Sequence, residues 1–141
     1  MDIIVIKTKI DQKTLEDLNE HWFKTFVKFV VDIRTKEIAV GGELHSDAEQ
    51  LLLERGSKQS DLWGGNFFAG KPPEHQVEYT SLINIRPHDN NYSMEIENDI
   101  IRKKVTTLIE TLLMSPDDNL ALFSRTEVFR FSDPSANIDG M

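Results

Sequence analysis

The side chains best suited to catalysis lie in the stretch GGELHSDAE, where Glu43 and His45 stand two positions apart. A carboxylate that orients an imidazole is a common general acid–base pair, and histidine titrates near neutral pH. Because Leu44 is expected to point into the core, Glu43 and His45 would share the outward side. The alternative is a purely structural histidine whose hydrogen bond fixes the loop.

The same region contains enough carboxylates to raise the question of a metal site. Asp47, Glu49 and the later Asp61 could join His45 around a divalent ion, since imidazole and carboxylate bind zinc, manganese and iron. The spacing matches no established ligand pattern, and Asp47 and Glu49 suit the first turn of a helix. We therefore expect no metal and no cofactor, and we keep Asp61 as a catalytic candidate.

A second polar group surrounds Arg86, in the stretch INIRP and the loop after it. An arginine at a strand end can form a two-pronged contact with a carboxylate or a phosphate. The candidate binding residues beside it are Asn84, Asn91 and Trp63, although a tryptophan next to two glycines is more often part of a core. The alternative for Arg86 is an ion pair that joins the loops, with Glu43, Asp47 or Asp61 as the acid.

Hydrophobic periodicity predicts the elements that must position these residues. Alternation and β-branched runs predict five strands, at residues 3–10, 26–33, 37–40, 62–69 and 76–86. Amphipathic stretches predict three helices, at residues 11–23, 46–55 and 99–114. The order β-α-β-β-α-β-β-α predicts an α+β fold, with a largely antiparallel sheet of about five strands and helices mostly on one face.

Two local patterns concern the middle of the chain. Ser46 and Glu49 have the spacing of a capping box, and Gly56 supplies the left-handed residue that ends the helix. Gly64 and Gly65 interrupt the fourth predicted strand, which indicates a bulge or the close approach of another group.

Residues 1–114 are predicted to form one domain, and residues 115–141 a C-terminal extension. The extension contains a short predicted helix at 119–123, a short predicted strand at 127–131 and an end that frays. The apolar stripe of the last long helix must be covered by the sheet or by a second subunit. This stripe and the phenylalanine-bearing strand favour a homodimer.

Composition narrows the function classes. The sequence has 16 basic and 24 acidic residues, a net charge of −8, so we expect no nucleic-acid partner. The basic run at 102–104 reads as the solvated face of a helix. No stretch resembles a signal peptide or a membrane span, and there is no cysteine, so we expect a soluble cytoplasmic protein without a membrane partner.

The stretches GGELHSDAE, GSKQSDLWG and INIRP occur in this order, and together they resemble a family of short prokaryotic proteins described only as a domain of unknown function. The likeness covers roughly Ile3 to Leu113. Gly65 and the segment Phe67–Gly70 depart from the family pattern, and the tail from Met114 lies outside it. The family has no established activity, so the resemblance implies relatives but no function.

The sequence thus predicts a small binding or interaction module, a homodimer with a small-molecule ligand as a further partner. The alternative is an enzyme, such as a hydrolase, whose site combines the acids, the histidine and the arginine around the second helix. The two differ in one structural respect, because an enzyme needs these side chains to converge in a concave pocket.

Overall fold

Five antiparallel strands and three helices make up the protein in the computed structural model, which describes residues 1–115. The strands are β1 (Ile4–Ile6), β2 (Val27–Asp32), β3 (Glu37–Val40), β4 (Leu62–Phe67) and β5 (Val77–Glu78). The helices are α1 (Gln12–His21), α2 (His45–Glu54) and α3 (Asp99–Leu112). This confirms the predicted α+β fold and its element order. The predicted helix at 119–123 and strand at 127–131 lie outside the described residues.

The sheet has the order β1-β3-β2-β4-β5, and its two faces are covered differently. Helices α1 and α3 pack on one face, where Leu18 and Ile109 join Phe29 and Trp63 in the larger core. Helix α2 covers the other face through Ala48 and Leu52. Two of the three helices therefore share a face, as predicted. The stripe of α3 is buried by the chain's own sheet, so it does not require a second subunit.

The start of α2 differs from the prediction. The helix begins at His45 with Leu44 as its N-cap and without a side-chain capping bond, so the predicted capping box at Ser46 is wrong. The left-handed residues Gly41 and Gly42 turn the chain into the helix one residue earlier. Leu44 is also 53% exposed rather than inward. At the other end, Gly56 does adopt a left-handed conformation, with φ of 102°.

The predicted strand at 76–86 is the largest error in the fold. Only Val77–Glu78 pairs as a strand, and the chain then forms a broken hairpin, residues 79–96, held by the bridges Thr80–Glu95 and Arg86–Asn91. A 3-10 turn at Leu82–Asn84 separates the two bridges. The alternating pattern is compatible with a strand, but the side chains of Asn84 and Arg86, rather than a strand backbone, form the hydrogen bonds to this part of β4.

Candidate functional site

Asn84 lies against the edge of β4 and replaces a missing strand there. Strand β5 pairs only with Asn66 and Phe67, which leaves the first half of β4 without a neighbouring strand on that side. The Gly64 amide donates to Asn84 Oδ1 at 2.9 Å, and Asn84 Nδ2 donates back to the Gly64 carbonyl at 3.0 Å. Nδ2 also donates to the Met94 carbonyl at 3.0 Å. The buried amide thus acts like a peptide group of an antiparallel partner.

Arg86 binds the same edge of β4 two residues earlier. Its Nη1 donates to the Leu62 carbonyl at 2.9 Å, and its guanidinium lies 4.2 Å from the ring centroid of Trp63. Its ion-pair partner is Asp89, with Nε and Oδ2 3.0 Å apart. Burial lowers the pKa of Arg86, and the nearby carboxylates of Asp89 and Glu49 oppose that effect. Arg86 therefore connects β4 to the hairpin, without the predicted acids.

His45 approaches β4 from the start of α2. Its Nε2 lies 2.7 Å from the Gly65 carbonyl, and because a carbonyl only accepts, Nε2 carries the proton. Burial and the positive charge of Lys28 lower the pKa of His45, while the bond to Gly65 partly offsets them. The imidazole is therefore neutral at pH 7 and its Nε2–H is bound.

The glycines of β4 make this convergence possible. A Cβ on Gly64 would lie 2.9 Å from Cβ of Ser81, and one on Gly65 would collide with the Glu78 carbonyl and the ring of Phe29. The close approach indicated by the glycine pair is confirmed, and the approaching groups belong to the protein itself. Three separate motifs thus meet at Leu62, Gly64 and Gly65.

The acidic candidates do not complete a reactive cluster. Glu43 is exposed, and within residues 1–115 no hydrogen bond joins it to His45. Asp61 pairs with Arg34 at 3.3 Å, beside the turn after β2. Across the same residues, no group of three or more histidine and acidic side chains is arranged to hold a metal ion.

Asn91 is also part of the structural network. Its Nδ2 donates to the carbonyls of Asn84, Ser93 and Glu95 at 2.8–3.0 Å, and its Oδ1 accepts from the Glu97 amide. Like Asn84 and Trp63, it is almost fully buried, and its amide holds the hairpin together.

Ser57, the first serine of GSKQSDLWG, binds the buried carboxylate of Asp32. Ser57 Oγ donates to Asp32 Oδ2 at 2.6 Å, and the amides of Arg34 and Thr35 donate to Oδ1. Burial raises the pKa of Asp32, but these hydrogen bonds outweigh it and bring the pKa below its ordinary value. Ser57 and Asp32 thus join β2 to the loop after α2.

A concave site among residues 1–115 lies elsewhere, beside α3. A cleft of about 700 Å³ opens between one face of this helix, the segment after β1 and the turn after β2. Its apolar floor includes Ile33, Leu108 and Leu112, and Ile100 lies at one end. The polar lining residues are Lys7, Lys36, Lys103, Lys104, Thr107 and Thr111.

Four lysines around one cleft are notable in a chain whose net charge is −8. Within residues 1–115, none of the four forms an ion pair, whereas the adjacent Arg102 pairs with Glu95 and stacks on Tyr79. The sequence predicts a solvated helix face for the basic run at 102–104 and does not reveal this cleft. One signal was available: Lys104 has no acidic residue three or four positions away on its helix.

A family model described as "Protein of unknown function (DUF5674)" matches residues 4–112. The chain belongs to this family. The predicted resemblance is therefore confirmed, and the family region runs from the first residue of β1 to the last residue of α3. The β4 contacts and the lysine-lined cleft both lie within it. No curated protein and no solved structure matches the chain.

No helix within residues 1–115 is long and apolar enough to cross a membrane.

Proposed function

We propose that this protein is a small binding module whose site is the cleft beside α3. The proposed ligand is an apolar molecule with a carboxylate, of the size and type of a medium-chain fatty acid. The observation that carries the proposal is the combination of an apolar floor with four lysines that lack ion-pair partners among residues 1–115.

The size and lining of the cleft support this class of ligand. Small-molecule sites usually have volumes of about 300–1,000 Å³, an apolar lining and a few polar groups that fix orientation. Ile33, Leu108 and Leu112 would contact the acyl chain, and the ammonium groups at the rim would bind the carboxylate. The lysines also provide a reason for specificity, because a neutral molecule of the same length would leave them without a counter-charge.

Binding of dodecanoate, measured by isothermal titration calorimetry at low ionic strength, tests the proposal. We expect Lys104→Ala to weaken dodecanoate binding about fivefold, the effect of one partly exposed charge pair of about 1 kcal/mol. Lys58→Ala is the matched control, because Lys58 is exposed near α2 and does not line the cleft. Equal affinity in both variants, or equal binding of dodecanol, would refute the proposal.

A homodimer is our second proposal, and the hairpin at 79–96 supports it. Four large apolar side chains on it are exposed: Leu82 (72%), Ile85 (42%), Tyr92 (66%) and Met94 (40%). Tyrosine and methionine are enriched at protein interfaces, and the bridges and asparagine bonds hold this surface rigid. A second copy could present the same surface around a twofold axis.

Light scattering over a concentration series tests the dimer. We expect a dimer for the natural chain and a monomer for the double variant Leu82→Ser with Tyr92→Ser. Ile100→Ser is the control, since Ile100 is 67% exposed but lies on α3. A natural chain that stays monomeric at high concentration rules the dimer out.

We do not extend the acid–histidine–arginine group to a catalytic proposal. Asn84, Arg86 and His45 contact three different backbone groups of β4. Asp61 forms an ion pair with Arg34, and Glu43 is exposed. An enzyme would need these groups around a shared concave space, and the cleft beside α3 is lined by other residues.

A further inference from the structure

We infer that residues 127–131 of this same chain occupy the cleft beside α3 and compete with its ligand. The inference concerns regulation of the site described under the proposed function, and it rests on that cleft being a binding site. The segment is EVFRF, a predicted short strand that lies outside the family match at 4–112. It would thus be a self-occupying element added to a domain that already contains the complete cleft.

The position of the cleft allows this connection. Its lining extends along α3 from Ile100 to Leu112, a distance of about 18 Å at 1.5 Å per residue. The described chain leaves α3 at the Leu112 end and reaches Ser115. The residues between Ser115 and Glu127 can span about 40 Å when extended, so the chain can turn back along the helix.

The residue pattern of the segment matches the lining of the cleft. In an extended chain, alternate residues share a side, so Glu127, Phe129 and Phe131 would form one face. Two phenyl rings would cover the apolar floor, and the carboxylate would meet the lysines at the rim. Arg130 would be on the other face, away from the lysines. This face therefore offers the same combination, apolar groups with one carboxylate, as the proposed ligand.

Distance measurements in the full chain test the position of the segment. The natural sequence contains no cysteine, so two introduced cysteines carry the only spin labels. Thr107→Cys with Arg130→Cys places one label at the cleft and one on the outward side of the segment. We expect a short, narrow distance distribution for this pair. The control pair, Gln50→Cys with Arg130→Cys, should give a longer distance because Gln50 lies on α2, across the sheet.

Competition gives an independent readout in the full chain. If the segment fills the cleft nine-tenths of the time, the apparent affinity for a ligand falls about tenfold. The double variant Phe129→Ser with Phe131→Ser should therefore bind dodecanoate about tenfold more tightly than the natural chain, by calorimetry. The substitutions change none of residues 1–115, so the residues that line the cleft stay the same.

The combined outcomes separate the two proposals. Short distances with tighter binding in the double variant support both. Long, broad distances with equal binding overturn the occupancy by residues 127–131 and leave the ligand proposal standing. Short distances without dodecanoate binding in either protein support the occupancy and refute the ligand. A short distance that appears only in mixtures of singly labelled chains means that a second copy supplies the segment, which overturns the inference within one chain.

Discussion

At the scale of single residues, His45 illustrates how a chemically capable side chain serves the fold. Its ring joins the first residue of α2 to the backbone of β4, and it does so as a neutral imidazole. Protonation would add a desolvated charge next to Lys28. The histidine therefore makes the stability of the domain sensitive to acid.

The pH dependence of stability follows from the lowered pKa of His45. Because the folded protein holds this proton less readily than the unfolded chain, the stabilising contribution is complete above about pH 6.5 and is lost as pH falls through the folded pKa. We expect the free energy of unfolding in urea to fall between pH 7.5 and 5.0. The variant His45→Gln, which keeps an N–H donor for Gly65, should flatten that change. His75→Gln, at an exposed position, should retain it, and an unchanged slope in His45→Gln would contradict the assignment.

Asn84 provides the second test at this scale. Asn84→Asp is nearly isosteric but cannot donate, so the carbonyls of Gly64 and Met94 would face a buried carboxylate. We expect a loss of about 2–4 kcal/mol in the free energy of unfolding. Asn90→Asp is the control, because Asn90 is exposed and has a left-handed backbone that aspartate tolerates. Similar urea midpoints for the two variants would show that the Asn84 bonds contribute little.

At the scale of elements, β4 is the strand whose backbone binds Asn84, Arg86 and His45. Gly65→Ala would place a methyl group against the Glu78 carbonyl and the Phe29 ring. We expect a destabilisation of about 1–3 kcal/mol, the usual effect of overpacking. Gly70→Ala should have a much smaller effect, since nothing lies within 4 Å of the added carbon. Thermal unfolding of both variants measures the difference, and matched melting temperatures would contradict this account of the strand.

The helices and strands predicted most accurately are those with a clear hydrophobic periodicity. Strand β2 and helix α3 have strong periodicity, and the structure buries the stripe of α3 that the pattern selected. Strands β2 and β3 are buried on both faces, because α2 covers one face of the sheet and α1 and α3 cover the other. The segment 76–86 alternates just as clearly, yet its strand ends after two residues. The pattern could not reveal that the side chains of Asn84 and Arg86 would satisfy β4 in place of a backbone.

The candidate site was only partly predictable for a similar reason. The sequence showed which loops carry unusual residues, and these loops do contact one strand. It could not show whether His45 and Arg86 face a shared space or separate backbone groups, because that depends on tertiary geometry. The cleft was missed since its lysines come from three distant segments, at Lys7, Lys36 and 103–104.

At the scale of the whole molecule, the local charge around the cleft has the opposite sign to the net charge of the chain. An acidic chain places four lysines around one cleft, and like charges at short range oppose folding. Such an arrangement is consistent with selection for binding rather than for stability.

This imbalance leads to a prediction about stability and binding together. Lys104→Gln removes one repelling charge, so we expect it to raise the free energy of unfolding by about 0.2–0.5 kcal/mol at low salt. The gain should disappear in 1 M NaCl, where charges are screened within about 3 Å. The same variant should bind dodecanoate more weakly. Thermal unfolding and calorimetry measure the two effects, with Lys58→Gln as control, and a loss of stability at low salt would contradict the repulsion.

The side-chain cover on β4 has one more consequence, for the behaviour of the protein in concentrated solution. An edge strand with unpaired backbone groups can form hydrogen bonds with another polypeptide, which is the first step of fibril growth. The Arg86 guanidinium and the Asn84 amide already form hydrogen bonds with the backbone of Leu62 and Gly64. Another polypeptide therefore cannot pair with this part of the β4 edge. Loss of either side chain would thus create a template for amyloid-like self-assembly even where the domain itself survives.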